Sequence, residues 1–177
     1  MGNVLGENVG VNGTYFDVGN PNGTDTTWGI AINDGKNVDV NSHVSNYLGN
    51  ERGTVYFDGQ MHVERIYNIR NKNNVSWAIS GIEIIPVMDA YKEGFVGPFS
   101  DVVRRCNHTG IFFDEKYVYL IVAENLFLKD FKAKVEKNFK VLGGVALDGG
   151  GSTQMNYLGK GLKSSRKIGT AVLLKEI

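Results

Sequence analysis

Three consecutive glycines, Gly149-Gly150-Gly151, stand between an apolar run that ends in an aspartate, Ala146-Leu147-Asp148, and a pair of hydroxyls, Ser152-Thr153. Glycine loses more backbone freedom on folding than any other residue. A fold therefore keeps three together only where the chain bends sharply or passes close to something. Successive backbone N–H groups in such a turn form a concave anion site. A carboxylate on the preceding strand end would be held by the sheet while it faces that concavity. From these residues alone two readings stand: a tight turn capped by Asp148, or a binding loop with a carboxylate at its mouth.

The rest of the chain is rich in strand signals. Val11 to Phe16 precedes a polar loop, Gly19 to Thr27, that contains the turn pair Asn22-Gly23. Trp28 to Ile32 runs into Asn33-Asp34-Gly35, a hairpin signal, and Asp58-Gly59 separates Gly53 to Phe57 from His62 to Ile69 as a second hairpin. Val75 to Ile79 and Ile82 to Ile85 read as two short strands, the second stopped by Pro86. Asp114-Glu115-Lys116 separates Ile111 to Phe113 from Tyr117 to Ala123. The latter is apolar on both faces, which predicts a central place in the sheet. Val145 to Leu147 and Lys167 to Lys175 are the late strands.

Phe127, Phe131, Val135 and Phe139 recur every fourth residue and predict a helix with one apolar stripe. Lys129, Lys132, Lys134, Lys137 and Lys140 form its wetter sides, with Asn125 as N-cap and Gly143-Gly144 as the stop. A shorter helix is expected near Ser42 to Leu48. No repeat or linker divides the 177 residues. The expectation is one α+β domain, residues 1–177. It has a mixed, largely antiparallel sheet, packed by one long and one or two short helices.

Charge and cysteine usage then narrow the function classes. Nineteen basic and nineteen acidic side chains cancel, so no global field draws the chain to nucleic acid or an anionic membrane, and phosphate affinity must be local. Cys106 is the single cysteine, which excludes an internal disulfide. His43 and His62 lack metal-ligand spacing, and Asp34, Asp39 and Asp58 lack the pattern of a calcium loop, so no metal and no cofactor are expected. Met1 to Gly10 shows no secretory pattern, and Tyr117 to Ala123 is too short to cross a bilayer. A soluble, cytoplasmic chain is expected, though a domain cut from a secreted parent would read the same. Homo-oligomerisation stays open.

The string from Leu147 to Thr153 resembles the hallmark of the phosphodiester glycosidase family, which removes a sugar from a phosphate linked to its anomeric carbon. Val11-Asn12-Gly13-Thr14-Tyr15-Phe16 is similar to the family's early Asn-Gly-Gly-aromatic-Phe segment, with Thr14 in place of the second glycine. Arg105-Cys106-Asn107-His108-Thr109-Gly110-Ile111 looks like its arginine-then-threonine-glycine stretch. Ser165-Arg166 also fits, so the resemblance covers nearly the whole chain.

The resemblance implies hydrolysis of a sugar-1-phosphodiester with Asp148, Arg105 and His108 as catalytic residues. Asp148 supplies the carboxylate. Arg105 clamps the phosphate, because a guanidinium matches two phosphate oxygens at once. Arg104 would point to the other side of an extended stretch. His108 donates to the phosphate or acts as general acid. Asn12, Gly13, Thr109, Gly149, Gly150, Gly151, Ser152, Thr153 and Arg166 are the expected substrate-binding residues, Asn12 by contacting substrate or by orienting Asp148. Cys106 is read as filler. Most glycosidases need two carboxylates, one of them to protonate a poor leaving group. A phosphodiester leaves as a stable anion, so one carboxylate and a phosphate clamp suffice. The competing reading is a non-catalytic module that sequesters a sugar-phosphate or nucleotide-derived ligand, of the kind a virus or mobile element would encode.

Overall fold

The computed structural model of the protein describes residues 5, 8–16, 27–39 and 51–175. The polar loop expected over residues 19–27, apart from Thr27, the helix expected near Ser42 to Leu48, and His43 lie outside the described residues.

The strands are β1 (Gly10–Asn12), β2 (Ala31–Asn33), β3 (Lys36–Asp39), β4 (Arg52–Phe57), β5 (Met61–Ile66), β6 (Trp77–Ile85), β7 (Cys106–Phe113), β8 (Val118–Leu126), β9 (Gly143–Ala146), β10 (Met155–Asn156) and β11 (Ala171–Leu173). One helix, α1 (Leu128–Asn138), lies between β8 and β9. The main sheet runs β3-β2-β6-β9-β7-β8, with β4 also paired to β6 and β5 to β4. A three-stranded sheet runs β10-β1-β11. Every strand pair is antiparallel. The α+β class expected from the sequence holds.

Both hairpins form where local chemistry placed them. Asn33 pairs with Lys36 across Asp34-Gly35, whose φ angles of 52° and 67° are the left-handed pair a two-residue turn requires. Phe57 pairs with Met61 around Gly59, at φ 115°.

Alternation along the strands splits the core into two layers. Phe112 and Ala146 face α1, where they meet Leu128, Phe131 and Val135. Ile111, Phe113, Val145 and Leu147 face the other way, onto Val11 of the small sheet. Fully burying side chains of this size contributes about 1.5–3 kcal/mol each.

Several expectations need correction. The two short strands over 75–79 and 82–85 are one strand, β6. Gly81 does not break it but lets it close on β9, since a Cβ there would stand 2.2 Å from the Ala146 carbonyl oxygen. All of the run from Tyr117 to Ala123 but Tyr117 lies in β8, an edge strand rather than a central one. Its two apolar faces have another cause: Tyr119, Ile121 and Ala123 pack on the α1 layer, and Leu120 and Val122 on the opposite layer. The helix buries Leu128, Phe131 and Val135, while Phe127 is its half-exposed N-cap and Phe139 its C-cap. Asn125 caps nothing; it sits in β8 at φ 55°, its N–H bonded to Asn107 Oδ1 at 3.1 Å. Gly143 and Gly144 begin β9. Lys132 is not a solvated lysine, for its ammonium donates to the carbonyls of Ile84 and Pro86. The expected strands over 11–16 and 167–175 shrink to β1 and β11.

Candidate active site

Three segments meet where β9 ends. The Leu147 N–H bonds the Thr109 carbonyl at 2.8 Å and the Asp148 N–H bonds the Gly13 carbonyl at 3.1 Å, so the strand end is held between β7 and the exit of β1. Asn12, with no exposed surface, ties them together. Its Oδ1 accepts from Thr109 Oγ1 at 2.6 Å and from the Gln154 N–H at 3.0 Å, and its Nδ2 donates to the Asp148 carbonyl at 2.7 Å. These bonds fix the backbone at Asp148 from the far end of the chain.

After Asp148 the glycines make a single 3-10 turn, Gly150–Ser152, entered through Gly150 at φ 59°. The Gly149 N–H turns back to Asp148 Oδ1 at 2.9 Å. Each glycine faces a different neighbour, as shown by what a Cβ would meet. At Gly149 it would lie 2.9 Å from the Asn107 carbonyl and 3.8 Å from His108 Nδ1. At Gly150 it would lie 3.2 Å from Arg104 Nη2, and at Gly151 2.8 Å from Arg166 Cζ. The Arg166 segment is strapped across the turn: Ser164 Oγ donates to the Gly151 carbonyl, and Gln154 Nε2 donates to the carbonyls of Ser152 and Arg166.

Burial pushes the Asp148 carboxyl up to about 6, against the pull of Ser152, the Gly149 N–H and Arg166; Asp101 adds a further upward push. The Ser152 hydroxyl lies close enough to favour the ionised carboxylate, yet it makes no bond of good geometry among the described residues. Thr153 Oγ1 and Gln154 Oε1 are likewise buried and without a hydrogen-bond partner among the described residues. Unspent buried polar atoms are costly unless a ligand or water completes them.

The site therefore gathers Asn12, Gly13, Thr109, Asp148, Gly149, Gly150, Gly151, Ser152 and Arg166, with Thr153 buried just behind, though these are far apart in sequence. Two expectations change. Arg105 does not face the glycines; it is exposed, with its guanidinium 6.0 Å from the Phe127 ring centroid. Arg104 faces them instead. The extended backbone at Arg104 (φ −62°, ψ 171°) sends the neighbours to opposite sides as expected, but the sides are exchanged. His108 reaches the loop without being arranged as an acid. Its Nε2 donates to the Leu126 carbonyl at 2.8 Å, its ring stacks on Phe131, and burial lowers its pKa, leaving a neutral imidazole with Nδ1 toward Gly149. Cys106 backs the loop, and burial raises its thiol pKa.

The sequence reading placed Arg104 on the wrong side and gave Gln154 no role, although Gln154 directly follows the glycine-hydroxyl string. Among the described residues, no group of three or more His, Cys, Asp or Glu is placed to hold a metal ion, and no helix is long and apolar enough to cross a membrane.

The family profile described as phosphodiester glycosidase matches residues 6–175. Among solved structures, the chain is similar to the catalytic domain of zebrafish N-acetylglucosamine-1-phosphodiester alpha-N-acetylglucosaminidase, which was captured auto-inhibited by its pro-peptide. The TM-score is 0.69 at 20% identity, over 93% of this chain and 62% of that one. It is also similar to a hypothetical protein from Synechocystis, with a TM-score of 0.57 at 12% identity, over 90% of this chain and 49% of that one. At these identities the two likenesses establish the fold. No curated protein matches the chain.

Proposed function

The chain belongs to the phosphodiester glycosidase family, and on that premise we propose that it hydrolyses the bond between a sugar's anomeric carbon and a phosphodiester. One observation carries the reading: a half-buried carboxylate, raised to about 6, stands at the mouth of a glycine turn overlooked by two guanidiniums. Above that pH Asp148 is ionised and stabilises the positive charge that develops at the anomeric carbon. Arg104 and Arg166 take the phosphate over Gly150 and Gly151, where the backbone N–H groups and the absence of side chains allow close approach.

Proton donors are scarce around Asp148, which suits this leaving group. His108 spends its Nε2 proton on Leu126, and Asp101 is exposed and paired with Arg104 at 3.5 Å. An alkoxide would need an acid here; a phosphodiester departs as a stable anion. Ser152 and Thr153 hold hydroxyls ready for the sugar or phosphate.

The test is mass spectrometry after incubation with a panel of sugar-1-phosphodiesters and nucleotide sugars, N-acetylglucosamine-1-phosphodiesters included, beside matched alkyl glycosides. Release of free sugar from the phosphodiesters alone is expected. Intact ligand retained without release would make the protein a sequestering module, and equal cleavage of alkyl glycosides would remove the phosphate clamp.

A further inference from the structure

The edge of a sheet offers unpaired backbone N–H and C=O groups to any chain that meets it, so proteins keep exposed edges short, charged or bulged. Among the described residues the edge strands are β3, β5, β8, β10 and β11. β10 and β11 span only two and three residues. β3 carries Lys36 and Asp39, and β5 carries His62, Glu64 and Arg65. β8 is unlike them. It is nine residues long, and Val118 to Ala123 contains no charged side chain. Every residue of that stretch is at least partly exposed.

β8 pairs only with β7, on one side. In an antiparallel strand alternate residues send their N–H and C=O groups to opposite sides. Half of the backbone groups of Val118 to Ala123 therefore point away from β7, and these make no hydrogen bond among the described residues. The faces of the strand are already covered, since Tyr119, Ile121 and Ala123 pack on the α1 layer and Leu120 and Val122 on the other. What β8 lacks is a neighbour. A bulge ends the open stretch, where the register against β7 shifts and Asn125 takes φ 55°.

The sequence of β8 is complementary to itself. A two-fold axis normal to the sheet keeps each residue on its own face, so a strand paired with its own copy opposes residues an even number apart. With Leu120 on the axis, Tyr119 meets Ile121 and Val118 meets Val122, both favourable cross-strand pairs. Continuing the register past the strand start sets Lys116 beside Glu124, and symmetry makes that pair twice. Both side chains are exposed, and neither makes an ion pair among the described residues; the Lys116 ammonium lies 5.1 Å from the Tyr117 ring centroid. An axis at Ile121 would set Glu124 against Val118 instead. We infer that two copies of this chain pair through β8, antiparallel and with Leu120 on the two-fold axis. The partner's Lys116 turn then braces Glu124 and Asn125. These adjoin the Asn125 N–H and Leu126 carbonyl that hold Asn107 and His108 behind the glycine turn.

Sedimentation velocity on the chain at low salt, over a concentration series, should show a species of two chains that dissociates on dilution. Lys116→Glu and Glu124→Lys should each weaken it by roughly tenfold, because each sets two pairs of like charges side by side. Lys116→Glu combined with Glu124→Lys restores opposite charges and should recover the wild-type affinity. Hydrogen exchange of the Val118 to Ala123 amides should slow as concentration rises. A chain that stays monomeric overturns the inference, as do open-ended oligomers, which a two-fold contact cannot build. So does a dimer whose β8 amides exchange alike at every concentration. Single variants that pair as tightly as wild type, or a combined variant no tighter than the single ones, overturn it as well. Should a variant fail to fold, hydrogen exchange of the wild type decides.

Discussion

Glu93 and Asp148 are both pushed above the ordinary carboxylate range, to about 7 and about 6, and loss of solvent is the leading cause for both. Their surroundings differ. Glu93, with no exposed surface, is saturated: its oxygens accept the Gly53 N–H at 2.7 Å, the Glu83 N–H at 3.0 Å and Arg65 Nε at 3.2 Å. Arg65 in turn pairs with Glu83 at 3.3 Å and donates to the Val87 carbonyl. Asp148 has one fixed bond, from the Gly149 N–H, and makes no ion pair among the described residues despite Arg166 nearby. Ser152, Thr153 and Gln154 beside it have bonding capacity unspent. The comparison teaches that a raised pKa does not by itself mark a reactive group. Glu93 uses its bonds to lock β4, β5 and β6 to the turn after β6, whereas among the described residues Asp148 accepts only from the Gly149 N–H.

The largest effect is expected from Asp148→Asn, which should lower turnover at least about 10⁴-fold. Its effect on stability should have the opposite sign. The folded pKa of Asp148 lies above the unfolded value, so the stability this group contributes is complete below about pH 4 and is lost as pH rises through about 6. Urea unfolding at pH 8 should find Asp148→Asn more stable than wild type by on the order of 2 kcal/mol, and at pH 3 the difference should vanish. Wild-type turnover should climb about tenfold per pH unit up to about 6 and then level. A variant several kcal/mol less stable at pH 8 would make Asp148 a structural cap like Glu93.

Glu93→Ala should show the reverse pattern. It leaves two buried N–H groups without their acceptor and takes one of the carboxylates from Arg65, and should cost about 3–5 kcal/mol in urea unfolding. The midpoint of the turnover–pH curve should stay near 6, because Glu93 is not among the main influences on Asp148. A midpoint that moves by a unit would merge the two regions into one network.

The smallest effects separate the arginines. Arg104→Ala and Arg166→Ala should each lower kcat/KM on a sugar-1-phosphodiester by roughly ten- to hundredfold, as loss of a charge-assisted contact does. Arg105→Ala should stay within about twofold of wild type, since among the described residues only the Phe127 ring receives its guanidinium. Equal losses at Arg104 and Arg105 would break the assignment of sides.

Features that depend on a few neighbouring residues were legible in the chain itself. Asp34-Gly35 and Asp58-Gly59 reverse the chain because their own backbone preferences demand it. Asp148 and the three glycines announce a bent loop for the same reason. Asn12 and Thr109 could be named from the resemblance, but their bond to each other, across 97 positions, could not. Features that depend on what lies across a gap stayed hidden. The two apolar faces of β8 suited a central strand and an edge strand under a helix equally well. The choice between Arg104 and Arg105 turns on the direction of one extended residue.

By itself, then, the sequence determined the α+β class, the antiparallel hairpins and the loop that carries Asp148, since local backbone preference and apolar spacing act over a few residues. The tertiary structure decided which arginine faces the glycines and why His108 stays neutral. It also separated the spent carboxylate from the unspent one. Those outcomes depend on burial and on bonds between segments far apart in the chain, and they exist only once the chain has closed on itself.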